Sequence, residues 1–220
     1  AAVTPVVSLP PGVLRAALAF DIQDVDGQAN ERAPHYTPGQ QKISDAVVRA
    51  VQNGEELQIF IDARGGCGKT YLLNTILRRV RSMDGGSLAL AMATTGIAAN
   101  LLLLGRTFHS RLKAPLTPSE ESTLQITAQS NLARLVKESK LLIIDEATML
   151  DKFLLEALDR TLRDIMEVDQ PFGGKIVVLA GDFRQCLPVV KGASRSDTVK
   201  HCINKSNLWK NVKVFCLTEN

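Results

Sequence analysis

The segment Ile59 to Leu77, IFIDARGGCGKTYLLNTIL, constrains the fold more than any other part of the chain. Gln58 to Asp62 reads as a buried strand, a glycine-rich turn follows, and apolar residues at helical spacing predict a helix from about Gly68 to Arg81. Strand, glycine turn, Lys-Thr and helix, in that order, make the context of a phosphate-binding loop. Small residues let consecutive backbone N–H groups turn toward an anion, and the helix N-terminus adds about half a positive charge there. Gly65, Gly66, Cys67, Gly68, Lys69 and Thr70 are therefore candidate nucleotide-binding residues. Lys69 would reach the outer phosphates and the Thr70 hydroxyl would hold Mg²⁺. Ala63 stands where such loops usually place their first glycine, and alanine suits that position if its backbone is not left-handed. Cys67 reads as a small spacer whose N–H faces the phosphates, with a low-pKa thiol as the alternative.

Two further strand ends carry polar residues. LLIIDEATML, Leu141 to Leu150, is an apolar run closing on two adjacent carboxylates. A strand end opens onto the crevice where such sheets bind ligands, so Asp145 can hold the metal and Glu146 can polarise a water. The plain alternative is an acidic start to the next helix. KIVVLAGDFRQ ends in Gly181, Asp182 and Gln185. A glutamine there can touch both a γ-phosphate and the attacking water, which makes Gln185 a candidate catalytic and coupling residue. A polar turn around Gly181 and Pro188 is the alternative.

The rest of the chain fits around these segments. Ile43, Ala46, Val47, Ala50 and Val51 predict a helix that Asn53-Gly54 ends. Leu88 to Ala93, Lys175 to Ala180 and Val212 to Leu217 read as strands, and Leu154, Leu158, Leu162 and Ile165 mark a helix. Short apolar strands alternating with helices predict an α/β fold, a parallel sheet covered on both faces. Residues 111 to 130 read as a surface insertion, and residues 1 to 35 as a lead-in without a sustained period. With 45% hydrophobic and 22% charged residues the chain should fold, and its net charge of +3 asks of any nucleic-acid site that it be a local groove. No apolar run approaches the roughly 20 residues of a membrane span. Four scattered cysteines without a C-x-x-C pair argue against zinc and for a reducing, intracellular compartment.

The ordered set GGCGKT, ATTGIAAN, GRTFHS, IIDEATM, GDFRQCLPVV and LTEN resembles the first motor domain of Pif1-type helicases, including those attached to Helitron transposons. The resemblance covers about residues 36 to 220. It implies a RecA-like P-loop domain, the first of two, from a superfamily 1 helicase. Such a helicase hydrolyses ATP with Mg²⁺, moves 5′ to 3′ on single-stranded DNA, and serves DNA repair, recombination or telomere and transposon maintenance. It further implies a nuclear protein, with the mitochondrion as the alternative. Gln40 in YTPGQQ resembles the adenine-reading glutamine, against a plain reading as a solvent-facing helix-terminal residue. Thr95 and Gly96, then Thr107, His109 and Ser110, resemble motifs that hold DNA phosphates, a task for hydroxyls and backbone N–H groups. Phe108 or His109 would also stack on a base. In the family an arginine follows LTEN, so residues 1 to 220 alone are expected to be monomeric, to bind nucleotide weakly and to turn over very slowly.

Two other readings fit parts of the sequence. A phosphotransferase on the same scaffold would need an arginine-rich lid, and the adjacent Asp145-Glu146 pair fits water attack better. A nonhydrolysing DNA-binding or degenerate transposon-derived module has the altered Ala63 position as its only support.

Overall fold

The computed structural model of the chain describes residues 36–83, 88–185, 187–189 and 194–218. The lead-in 1–35 with its apolar stretch Val13 to Phe20, Cys186, and the last two residues of LTEN lie outside the described residues.

Six strands form one fully parallel sheet: β1 (Leu57–Ala63), β2 (Ala89–Ala93), β3 (Arg106–Thr107), β4 (Leu141–Asp145), β5 (Ile176–Gly181) and β6 (Lys213–Leu217), in the order β3-β2-β4-β5-β1-β6. The central strands are mostly apolar because both sheet faces are covered, with Gln58 and Asp62 in β1 and Asp145 at the end of β4 as the polar exceptions. Alternate side chains separate the two layers. Ile59, Ile61, Ala91, Ile143 and Val178 face helices α1 (Pro38–Asn53) and α2 (Lys69–Arg81), packing against Ile43, Val47, Leu72 and Ile76. Phe60, Met92, Ile144 and Leu179 face the opposite layer with Leu135 of α5 (Asn131–Glu138) and Leu155, Leu158 and Leu162 of α6 (Lys152–Met166). Two short helices, α3 (Gly96–Leu101) and α4 (Phe108–Leu112), flank β3, and α7 (Arg195–Lys200) precedes β6.

Local sequence explains the helix ends. Thr37 and Gln40 form a reciprocal capping box at the start of α1, with Pro38 in its first turn, and Gly54 ends the helix at φ 67°. Asp151 caps α6 through its side chain on the Phe153 N–H.

The α/β class and parallel sheet are as the sequence indicates. Residues 111 to 130, in contrast, are not merely a surface insertion. Arg111, Leu112 and Leu124 are buried, the Leu124 N–H donates to Thr161 Oγ1 at 3.0 Å, and Arg160 donates to the Ser122 carbonyl. The proline-rich composition hides the two buried leucines and the hydrogen bonds that tie Ser122 and Leu124 to α6. β6 is an edge strand, exposed at Lys213 and Val214. Among the described residues no helix is long and apolar enough to cross a membrane.

Candidate nucleotide and nucleic-acid site

The strand order decides which side chains meet. In a parallel sheet every carboxyl end opens on the same edge, so the loops after β1, β2, β4 and β5 share one rim. β5 lies between β1 and β4, which places Gln185 between the phosphate loop and the Asp145-Glu146 turn.

The phosphate loop runs from Arg64 to Gly68. Gly66 (φ 88°) and Gly68 (φ 70°) are left-handed, and a Cβ on Gly68 would meet Gln40 Nε2 at 2.7 Å. Ala63 is not left-handed; it is the last residue of β1, 1% exposed, so the missing first glycine costs the loop nothing in backbone strain. No side chain caps α2, so its first N–H groups are left for an anion. Cys67 is buried, and its N–H turns back to the Arg64 carbonyl at 3.3 Å, so its part is to close the turn. Thr70, the second residue of α2, is half-buried.

Lys69 Nζ bridges the two carboxylates, 2.6 Å from Asp145 Oδ1 and 2.5 Å from Glu146 Oε1. Burial works against the ammonium, but the two acids outweigh it and hold its pKa above that of an ordinary lysine. Asp145 is 2% exposed; burial lifts its carboxyl above the usual range, and Lys69 opposes that shift. Glu146 has left-handed backbone, φ 51° and ψ 35°, a conformation that costs a non-glycine residue about 1–2 kcal/mol and that clusters at functional sites. Four contacts fix it: Glu146 N–H to Asp145 Oδ1 (2.8 Å), Thr94 Oγ1 and the Met149 N–H to the Glu146 carbonyl (both 3.0 Å), and Lys69 on the carboxylate.

Gln185 donates from Nε2 to Asp182 Oδ2 at 3.0 Å, and the same nitrogen lies near Gly65, 3.5 Å from where a Cβ would stand. Asp182 is buried. Although burial disfavours its charge, bonds from Arg184 and Gln185 hold its carboxyl below the usual range. Arg184 also reaches Asp62 Oδ1 at 2.7 Å, tying the ends of β5 and β1 together. Gly181 is pressed against Thr148: a Cβ there would stand 2.9 Å from Thr148 Cγ2 and 3.2 Å from its backbone nitrogen.

Gln40 is 5% exposed, so it is not a solvent-facing helix residue. Its Oε1 accepts from the Thr37 N–H (3.1 Å) and its Nε2 donates to the Cys67 carbonyl (3.2 Å), which ties α1 to the phosphate loop.

The strand-contacting candidates lie on the same rim beyond β2. Thr95 Oγ1 accepts from Ala98 N–H at 3.2 Å and Thr107 Oγ1 from Ser110 N–H at 3.3 Å, so each hydroxyl caps a short helix and keeps its own O–H to donate. Gly96 and Ser110 are exposed. Phe108 is fully buried in the core and so cannot stack on a base; its helix is too short to show a period that would reveal this. His109 is half-buried, and burial lowers its pKa, leaving the ring largely neutral.

Thr94 and Thr148 belong to the site without any signal of their own in the sequence, and Asp182, visible at its strand end, gains a role only from its partners. Thr94 stands inside ATTGIAAN and Asp182 inside GDFRQ, so only their spatial partners distinguish them. For Mg²⁺ the donors fit. A buried carboxylate and a hydroxyl leading a helix are hard oxygen ligands of the kind this ion takes.

A family model described as PIF1-like helicase matches residues 35–220. The chain belongs to the PIF1-like helicase family. It is 34% identical over 205 residues to the ATP-dependent DNA helicase RRM3 of Saccharomyces cerevisiae, covering 91% of this chain and 27% of that protein. To the human ATP-dependent DNA helicase PIF1 it is 31% identical over 182 residues, covering 80% of this chain and 26% of the relative. Among solved structures, a Bacteroides Pif1 helicase in complex with ADP-AlF3 and single-stranded DNA superposes with a TM-score of 0.68 at 29% identity, over 83% of this chain and 42% of the other. The chain thus spans about a quarter of the length of these curated PIF1-like relatives and under half of the superposed helicase.

Proposed function

We propose that this chain is the ATP-hydrolysing motor domain of a DNA helicase, the first of two such domains, occupying residues 36 to 220. The observation that carries this reading is the convergence of Lys69, Asp145 and Glu146 at one sheet edge, with Gln185 in the turn that follows the strand between them. The relatives carry the name ATP-dependent DNA helicase, and the Bacteroides Pif1 structure holds ADP-AlF3 and single-stranded DNA.

The residues divide the work as follows. The N-terminus of α2 and the backbone of Gly65, Gly66 and Gly68 cradle the phosphates, and Gln40 reads adenine while tying Cys67 to α1. Lys69 exchanges its carboxylate partners for the outer phosphate oxygens. Thr70 and Asp145 would hold Mg²⁺, which would neutralise phosphate charge when bound. Glu146, freed from Lys69, takes a proton from the water whose oxygen attacks the γ-phosphorus, and ADP leaves. Gln185 orients that water from the neighbouring strand. Thr95, Gly96, Thr107, His109 and Ser110 grip the backbone of a single DNA strand, which positions it without reading sequence. Repeated cycles drive 5′ to 3′ translocation and unwinding in DNA maintenance, in the nucleus or the mitochondrion.

The test is ATP hydrolysis by the full-length protein with and without oligo-dT. Strong stimulation by the oligonucleotide is expected. A protein that binds oligo-dT but never hydrolyses ATP would instead favour a nonhydrolysing DNA-binding module.

A further inference from the structure

Thr94 sits between the two halves of the proposed site. Residue Ala93 of β2 pairs with Asp145 of β4, and the ladder runs one step further: the Thr94 N–H donates to the Asp145 carbonyl at 3.2 Å. Its hydroxyl then donates to the Glu146 carbonyl at 3.0 Å. The next residue, Thr95, is extended (φ −114°, ψ 154°) and caps α3, while the Ala99 N–H returns to the Thr95 carbonyl at 3.0 Å. Adjacent residues of an extended segment point to opposite sides. Thr94 faces the carboxylate turn and Thr95 serves the helix on the rim.

We propose that Thr94 is a positioning residue that couples the strand-gripping segment Thr95–Gly96 to Glu146. The inference rests on the motor function proposed above. Glu146 is held in a strained, left-handed backbone by Lys69 on its carboxylate, by Asp145 on its N–H, and by two donors on its carbonyl, the Met149 N–H of its own turn at 3.0 Å and the Thr94 hydroxyl, the one of these joined to the strand-gripping segment. A strained residue persists only where its surroundings over-determine it, and it responds when one support moves. A DNA phosphate drawn onto Thr95 and Gly96 shifts that backbone. Thr94 is covalently joined to it, and its hydroxyl carries the shift to the Glu146 carbonyl, re-aiming the carboxylate at the attacking water. The link is one peptide unit and one hydrogen bond long, a contiguous physical path and not only proximity.

The experiment uses Thr94→Val, which keeps the shape and removes the O–H donor, and Thr94→Ser, which keeps the donor, in the full-length protein. ATP hydrolysis is measured with and without oligo-dT, oligo-dT affinity by fluorescence anisotropy, and folding by thermal melting. In Thr94→Val the ratio of stimulated to basal rate is expected to fall by about tenfold, the rate equivalent of one hydrogen bond at its upper value. Oligo-dT affinity should stay within about twofold, the usual scatter for a site not in contact. Thr94→Ser should restore the ratio. Should Thr94→Val melt early, Thr94→Ala at a lower temperature must show the same loss of ratio. Basal and stimulated rates falling together, with the ratio intact, would make Thr94 a structural support and overturn the proposal. A parallel loss of oligo-dT affinity would overturn it too, by making Thr94 a DNA contact. A wild-type protein without stimulation would sink the motor reading itself, whatever the variants do.

Discussion

Lys69 Nζ lies 2.5 Å from Glu146 Oε1, so the cation expected on the phosphates and the carboxylate expected on the water hold each other in place. With Asp145 2.6 Å from the same nitrogen, one ammonium pairs with two acids, one of them almost wholly buried. Lys69→Ala is therefore expected to abolish ATP hydrolysis and also to destabilise the fold, because it leaves the Asp145 carboxylate buried without a counter-ion. Breaking a buried pair from one side costs about 3–5 kcal/mol, and the partly solvated Glu146 keeps this case toward the lower figure. Activity assays and urea unfolding of the variant check both parts. Normal turnover would remove Lys69 from the site.

Gln40 offers a test that separates two roles. Its side chain completes the α1 capping box and holds the Cys67 carbonyl. Gln40→Ala should lower stability by about 0.5–2 kcal/mol through the cap. It should also raise KM for ATP and for GTP alike through the loosened loop, with any additional loss confined to ATP measuring adenine reading. Unchanged KM for GTP would show that the Cys67 tether does not shape the loop.

Thr95→Ala and Thr107→Ala each remove a helix cap as well as a hydroxyl. Each should cost about 1 kcal/mol of local stability and weaken single-stranded DNA binding to the same extent for oligo-dT and mixed sequences. Affinity should fall with rising salt as phosphate counter-ions are released. Binding by electrophoretic shift with the two oligonucleotides decides it, and a sequence-dependent loss would contradict backbone contact.

Lys175 gives a pH signature. It is buried, and its Nζ donates to the Lys137 and Ser139 carbonyls at 2.7 Å. Burial, with Lys140 and Lys137 nearby, pushes its pKa down to about 8. Between that value and the ordinary lysine value of 10.5 the unfolded chain binds the extra proton, so the Lys175 contribution makes stability rise with pH across that window and penalises the fold below it. Urea unfolding of wild type against Lys175→Met at pH 8, 9 and 10 should show the rise only in wild type. Parallel curves would mean that Lys175 titrates normally.

Much of the site was legible because its residues sit at strand ends. Ile59 to Ile61, Leu141 to Ile144 and Ile176 to Ala180 are unbroken apolar runs, and the polar residues that follow them, Asp62, Asp145 and Asp182, mark the sheet edge. Gly68 and Lys69 then need only the order strand, turn, helix. What sequence could not carry is long-range or too short to be periodic. The Thr94–Glu146 bond spans 52 residues, and the left-handed turn at Glu146 is set by contacts from β2 and α2. β3 has two residues and α4 five, so neither shows a period, and Phe108 was open to being read as a surface ring. Gln40 was visible as a candidate, but the resemblance points to a base, whereas the fold also places the side chain on the Cys67 carbonyl.

Glu146→Gln in the full-length protein preserves shape and removes only the proton acceptor, so it isolates the hydrolytic role of this carboxylate. Binding of a fluorescent ATP analogue and of oligo-dT is measured alongside oligo-dT-stimulated ATP hydrolysis. The expected result is nucleotide and DNA binding close to wild type with hydrolysis reduced by about 10²- to 10⁴-fold, the range for a positioned general base. Hydrolysis at the wild-type rate would contradict the assignment of this site as the catalytic centre of the motor.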